Sequence, residues 1–168
     1  AVLTGLAFAR FSRPSARVLF SQFAIITPDQ GIPVLKFRTA NRRRNQILEA
    51  QLRIYLMRDE IHEDGYFHRR IYDLRLQREQ TPSFALTWLA IHMIDETSPL
   101  YGMTPESLQK TNATIIVSLS GIDETVAQVV HARHVYTAGD ILWNHQFVDV
   151  IYHNYFHAVE PISEQLMR

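Results

Sequence analysis

Cysteine is absent from the 168 residues. That excludes a disulfide framework and any thiolate metal site, and it fits a reducing compartment without proving one. A run of about 18 apolar residues is also missing, so no segment is expected to span a bilayer alone. No secretory leader, internal repeat or low-complexity segment is read. A catalytic nucleophile is missing too. Ser118 and Ser120 precede Gly121, but Ser-Leu-Ser-Gly-Ile is not a nucleophile elbow, and no convergent polar site suggests an enzyme. Histidines number eight, without metal-ligand spacing. His131 and His134 project to opposite faces of a strand, and His153 and His157 share a face but have no third ligand. His62, His68, His92 and His145 are scattered. Asn112-Ala113-Thr114 matches a glycosylation acceptor and is taken as chance.

What is present is a strand-forming pattern. A chain of this length is most simply one domain, long enough to bury a core. In residues 48–56, Leu48, Ala50, Leu52, Ile54 and Leu56 alternate with Glu49, Gln51, Arg53 and Tyr55, the period-two mark of a half-buried strand. Further strands are expected over 18–26, 33–38, 67–76, 84–91, 114–119, 125–136 and 146–152. Residues 27–31 and Glu63-Asp64-Gly65 supply turn chemistry. Two short helices are expected. One covers 104–108, with Thr104 as cap and Pro105 in the first turn; the other is a single turn within 138–143 that Asp140 can cap. Many short strands with regular turns imply an all-β, antiparallel β-sandwich with one or two short helices.

The zero net charge hides an asymmetry. Residues 1–44 hold eight basic side chains (Arg10, Arg13, Arg17, Lys36, Arg38, Arg42, Arg43 and Arg44) against Asp29 alone, and the remainder is acidic by the same margin. One end is thus suited to an anionic surface, although solvated charge on strand edges gives the same count. Nucleic acid is not the expected partner, because the isoelectric point is near neutral and no recognition motif accompanies the arginines. By itself, Gly121 reads as a hairpin residue supplying an unusual backbone angle. Glu49 reads as a solvated carboxylate or as an ion-pair partner of Arg53.

The stretch Ser118-Leu119-Ser120-Gly121-Ile122-Asp123-Glu124-Thr125-Val126-Ala127, followed by Ile141-Leu142-Trp143-Asn144-His145, resembles the cytoplasmic domain of inward-rectifier potassium channels, most of all the prokaryotic KirBac group. Three further stretches carry the likeness in family order: residues 5–14, which resemble the exit of the inner membrane helix; 40–50, like two strands and their turn; and 91–102, like a long surface loop. Residues 151–168 match weakly.

The resemblance implies an immunoglobulin-like sandwich over 18–168, preceded in 1–17 by the end of an inner transmembrane helix and a linker. It implies a homotetramer joined to the pore-forming transmembrane domain of the same channel, on the cytoplasmic side of the cell membrane. The loop 121–127 would ring the fourfold axis, with Gly121, Ile122 and Ala127 lining a constriction, and Glu49 would face the ion path. Asp123 and Glu124 would be structural or lie between subunits. Potassium is the implied permeant ion, with magnesium or polyamines as blockers. Ser120 stands where strong rectifiers carry a second acid, which implies weaker focusing of cations. Arg10, Arg13, Arg17, Arg42, Arg43 and Arg44 would meet anionic lipid or phosphoinositide headgroups, each worth about 1 kcal/mol near an anionic leaflet. A free-standing immunoglobulin-like interaction module, binding a protein through a sheet edge or its loops, is the alternative.

Overall fold

The computed structural model of the chain describes residues 17–148 and 156–163. Two β-sheets face each other across one apolar core. The first contains β1 (Val18–Phe20), β2 (Ala24–Asp29), β3 (Ile32–Asn41), β7 (Thr87–Met93) and β10 (Ile141–Trp143). The second contains β4 (Ile47–Ile61), β5 (Phe67–Leu74), β6 (Gln80–Phe84), β8 (Thr114–Asp123) and β9 (Val129–Thr137). A small ribbon pairs β11 (His145–Phe147) with β12 (Val159–Pro161). The expected all-β sandwich is therefore present. One pairing departs from the antiparallel rule: β10 runs parallel to β2.

Both sheets are organised by one long strand with two short ones along an edge. β3 pairs with β7 on one side and with β2 and then β1 on the other. β4 pairs with β8 on one side and with β6 and then β5 on the other. Leu35, Phe37 and Ala90 of the first sheet and Leu52, Ile54, Leu56, Val117 and Leu119 of the second belong to one buried cluster. Tyr136 is fully buried with them, and its hydroxyl donates to the Ser21 carbonyl at 2.8 Å. Burial pushes that phenol's pKa well above its ordinary value.

Several sequence expectations are corrected. Residues 18–26 do not form one strand. Ser21 is buried between β1 and β2; its N–H still reaches the Arg38 carbonyl of β3, but its carbonyl is held by Tyr136 and its hydroxyl accepts the Arg38 N–H in the carbonyl's place, and this interrupts the ladder. Residues 84–91 also divide. Phe84 ends β6 in the second sheet, Thr87 begins β7 in the first, and the chain crosses the sandwich at Ala85 and Leu86. A continuous apolar run cannot reveal such a crossing. Pro82 lies within β6, an edge strand, where its missing N–H costs no ladder bond. Of residues 27–31 only Gln30 and Gly31 make the turn, both with positive φ (51° and 84°), as a two-residue hairpin requires. Within 138–143, a 3-10 turn covers Ala138–Asp140 and β10 follows. In 146–152 the observed strand is β11, and residues 149–152 lie outside the described residues.

The first expected helix is present as α1 (Pro105–Lys110), capped reciprocally by Thr104 and Ser107 and pinned by buried Leu108. The loop before it is packed. Leu100 is buried, and the buried His92 ring bonds the Arg75 carbonyl and the Ser98 hydroxyl at 2.6 and 2.7 Å. Desolvation holds the His92 pKa below the usual imidazole range.

Candidate functional site

Glu49 and Gly121 are neighbours across the β4–β8 ladder, and each explains the other. Leu48 pairs with Ile122 and Gln51 with Ser120, so Glu49 and Ala50 together oppose Gly121. The extra residue is a β-bulge. Glu49 takes the left-handed conformation within it, φ 48°, which is costly for a residue with a Cβ. The bulge shifts the strand's phase: Ile47 and Ala50 are buried, while half-buried Leu48 and exposed Glu49 stand between them. Leu48, expected on the core face, is therefore replaced there by Ile47. Glu49 makes no ion pair with Arg53 among the described residues.

Gly121 is not the head of a loop. It lies inside β8, buried, and its φ is not positive. The expectation of an unusual backbone angle is thus corrected. Glycine is required because the bulged strand comes close: an added Cβ would collide with Ile47 Cγ2 and stand 3.0 Å from the Leu48 carbonyl oxygen. The loop proper begins after Asp123 and ends before β9, and its left-handed residue is Ala127, φ 53°. Ile122 and Ala127 are both exposed, as are Glu124, Thr125 and Val126.

Asp123 sets the shape of this loop. Its carboxylate accepts the Thr125 and Val126 N–H groups at 2.8 and 3.0 Å, and its carbonyl accepts the Ala127 N–H. The same carboxylate pairs with the guanidinium of Arg17, and both side chains are buried. Arg17, foremost, and the two backbone donors hold the Asp123 pKa down at about 2. The resemblance places Arg17 at a lipid headgroup, and the fold does not expose it there. It is only 6% exposed, and a guanidinium bound to Asp123 and to the Asn45 carbonyl (2.7 Å) is turned inward.

Arg42, Arg43 and Arg44 occupy the turn between β3 and β4, and all three are exposed. Asn41 shapes the turn. Its Oδ1 accepts the Arg43 N–H at 3.1 Å, and its Nδ2 donates to the Asn45 and Phe84 carbonyls. The turn is stitched to the 123–128 loop through Gln46, whose N–H donates to Glu124 Oε1 at 2.8 Å and whose carbonyl accepts the Glu124 N–H at 3.1 Å. Arg10 and Arg13 lie outside the described residues.

The outer face of the second sheet carries one feature that sequence reasoning missed. Arg53, Ser118 and Arg133 lie directly opposite one another on β4, β8 and β9. Gln51, Ser120 and His131 form the next row. Glu49 thus shares its face with two arginines about two strand spacings apart, roughly 10 Å. Cross-strand register alone joins Arg53 to Arg133, and nothing local in either segment signals it. An open cleft of about 500 Å³ lies beside this face, lined by Gln51 and Arg53 together with Arg75 and Glu79.

The class that these observations define is an all-β two-sheet sandwich with a bulged carboxylate, a close-packed glycine and an arginine turn at one end. Comparison with known proteins narrows the class. The model of the inward rectifier potassium channel C-terminal domain matches residues 18–159. The inward rectifier potassium channel Kirbac3.1 of Paramagnetospirillum magnetotacticum is 45% identical over 150 residues, 89% of this chain and 51% of that protein. Inward rectifier potassium channel 4 of Homo sapiens is 34% identical over 165 residues, covering 92% of this chain and 36% of its own length. The G protein-activated inward rectifier potassium channel 1 of Bos taurus is 33% identical over 158 residues, 90% of this chain and 32% of that protein. The chain belongs to the inward rectifier potassium channel C-terminal domain family. It spans about half, or less, of the length of the curated relatives it matches. Among the described residues no helix is long and apolar enough to cross a membrane.

Proposed function

We propose that this chain is the cytoplasmic regulatory and ion-path domain of a tetrameric inward-rectifier potassium channel. Four copies surround an axis with Glu49, Ile122 and Ala127 toward it, and buried Gly121 sets the strand behind them. Residues 1–17 lead from an inner membrane helix, and 18–168 form the gating domain. The observation that carries the reading is the bulge. A strained backbone placing a carboxylate that has no ion-pair partner among the described residues on an exposed face, against a glycine that only close packing requires, is a feature that stability alone does not favour. A ring of such carboxylates raises local cation concentration, and a ring of Ile122 and Ala127 narrows and dewets the path.

Arg53 and Arg133 share that face, and Ser120 adds no charge. Focusing of potassium is therefore modest, and block by magnesium or polyamines is weak. Arg42, Arg43 and Arg44, with Arg10 and Arg13 before them, meet anionic lipid or phosphoinositide headgroups. Arg17 is left out of that set because its guanidinium is internal. The decisive test is the channel carrying Glu49→Gln. Reduced inward single-channel current or reduced magnesium sensitivity is expected, and unchanged conductance and block would remove Glu49 from the ion path. In parallel, Arg43→Ala with Arg44→Ala should weaken binding to anionic liposomes. Equal binding by parent and variant would refute the lipid contact.

A further inference from the structure

One buried side chain touches both ends of the proposed machinery. The Arg17 carbonyl accepts the Arg42 N–H at 2.7 Å, which fixes the start of the arginine turn. Its guanidinium donates to the Asn45 carbonyl at 2.7 Å and to the Gln46 carbonyl at 3.4 Å, which fixes the end of that turn. The other terminal nitrogen, Nη1, donates to Asp123, whose carboxylate holds the Thr125 and Val126 amides of the 123–128 loop. Glu124 and Gln46 close the circuit with two more hydrogen bonds. Arg17 also immediately precedes β1, where the chain enters the sandwich.

We propose that Arg17 is a positioning residue that locks the arginine turn and the 123–128 loop into one unit, so that a displacement of the turn is transmitted to the loop. A planar guanidinium suits this task. Its two terminal nitrogens hold a carboxylate on one side and two carbonyls on the other in one fixed plane, whereas the three donors of a lysine radiate from a single atom on a flexible stem. Burial sharpens the coupling, because moving either element away leaves a charge without its partner in a poorly solvated place. That the turn meets lipid and the loop meets ions rests on the reading above. The mechanical link between them does not.

The test is a coupling cycle read by amide hydrogen exchange on the whole chain. Asn41→Ala loosens the turn, because Asn41 holds Arg43 and Asn45; it also frees the Phe84 carbonyl at the end of β6, but among the described residues Asn41 makes no hydrogen bond to the loop. In the parent it should speed exchange of the Thr125 and Val126 amides about tenfold, within the usual span of intramolecular coupling. Against a background of Arg17→Met with Asp123→Asn, which removes both charges together, the same substitution should add less than about twofold. The Gly65 amide, in the distant β4–β5 hairpin, should not respond in either background. Equal acceleration in both backgrounds would overturn the proposal. If the paired variant does not fold, Arg17→Lys serves in the same cycle with the same criterion.

A second arm reports on lipid. The chain has no cysteine, so Val126→Cys takes a single nitroxide label on the exposed loop. Vesicles of phosphatidylglycerol and phosphatidylcholine should change its spectrum in the parent. In the paired background they should bind equally well and leave the spectrum unchanged. A spectral change that survives there counts against the link. Vesicles that fail to bind the parent would refute the lipid reading while leaving the exchange cycle to decide the link.

Discussion

The two ends of β4 are built on different principles. At its far end, β4 and β5 pair without interruption from Ile54–Leu74 to Ile61–Phe67. Charges there meet in pairs that solvent reaches: Arg69 with Asp59, and half-buried Glu60 with half-buried Arg58 and with exposed Arg70. At its near end the ladder is broken by a bulge, a non-glycine residue sits at φ 48°, a glycine is demanded by close approach, and an ion pair is buried. An exposed pair such as Arg69–Asp59 contributes little and tolerates rearrangement. A buried pair in contact with two loops has few alternative arrangements. The same strand therefore gives a generic, replaceable tip and an end with one tightly specified geometry, and the specified end is where the candidate site lies.

The comparison breaks most directly at Gly121. Gly121→Ala should destabilise the chain by about 1–3 kcal/mol, the usual cost of overpacking a tight contact, because the new methyl meets Ile47 and the Leu48 backbone at once. Gly65→Ala at the far hairpin meets nothing within 4 Å and bears only the strain of its φ of 81°. Urea denaturation of the two variants checks the contrast. A Gly121→Ala chain as stable as the parent would mean that the bulge is soft.

Acid should find the same difference. The Asp123 carboxyl is held at about 2 against an ordinary 3.8. A depressed carboxyl contributes stability above its unfolded value, and that contribution is lost as pH falls from about 3.8 towards about 2. Denaturation curves between pH 5 and pH 2.5 should show this fall in the parent. In Asp123→Asn, a chain less stable at neutral pH, the fall over the same interval should be shallower. An unchanged acid slope would remove the pair from its structural role.

The middle of β4 was legible in the sequence, its extension from Met57 to Ile61 was not read as strand, and the near end was only partly legible. The alternation of Ala50, Leu52, Ile54 and Leu56 is a local property of one strand, and it placed all four side chains correctly in the core. The slip at Leu48 and Glu49 is not local, since it depends on Gly121 in another strand. Glycine's presence was legible, but its reason was not: turn chemistry and close approach favour the same residue. Arg17 and Asp123 lie 106 residues apart, and nothing in the neighbourhood of Arg17 distinguishes it from Arg42, which is exposed. The family motif identified the domain. The division of its arginines into one internal and several external members required the fold.

A finer test separates strain from packing. Glu49→Gly should stabilise the chain by about 1 kcal/mol, because glycine adopts the left-handed conformation freely, while it deletes the carboxylate assigned to the ion path. Stability would rise and cation focusing would fall in one substitution. A loss of stability would show that the Glu49 side chain contributes packing that outweighs its backbone strain.

The smallest effect belongs to the far end. Arg69→Met removes the partner of Asp59, an exposed pair that Asn112 also buttresses by donating to the other Asp59 oxygen at 2.9 Å. The hydrogen bond from Asn112 does more than Arg69 to hold that carboxyl's pKa below its ordinary value. The carboxylate therefore keeps its leading hydrogen bond and its solvent when the arginine goes. The unfolding midpoint should stay within experimental scatter of the parent at neutral pH, and raising the salt concentration should not separate the two chains. A clear loss would place a specified geometry at the far end as well, and the contrast between the two ends of β4 would no longer mark the site.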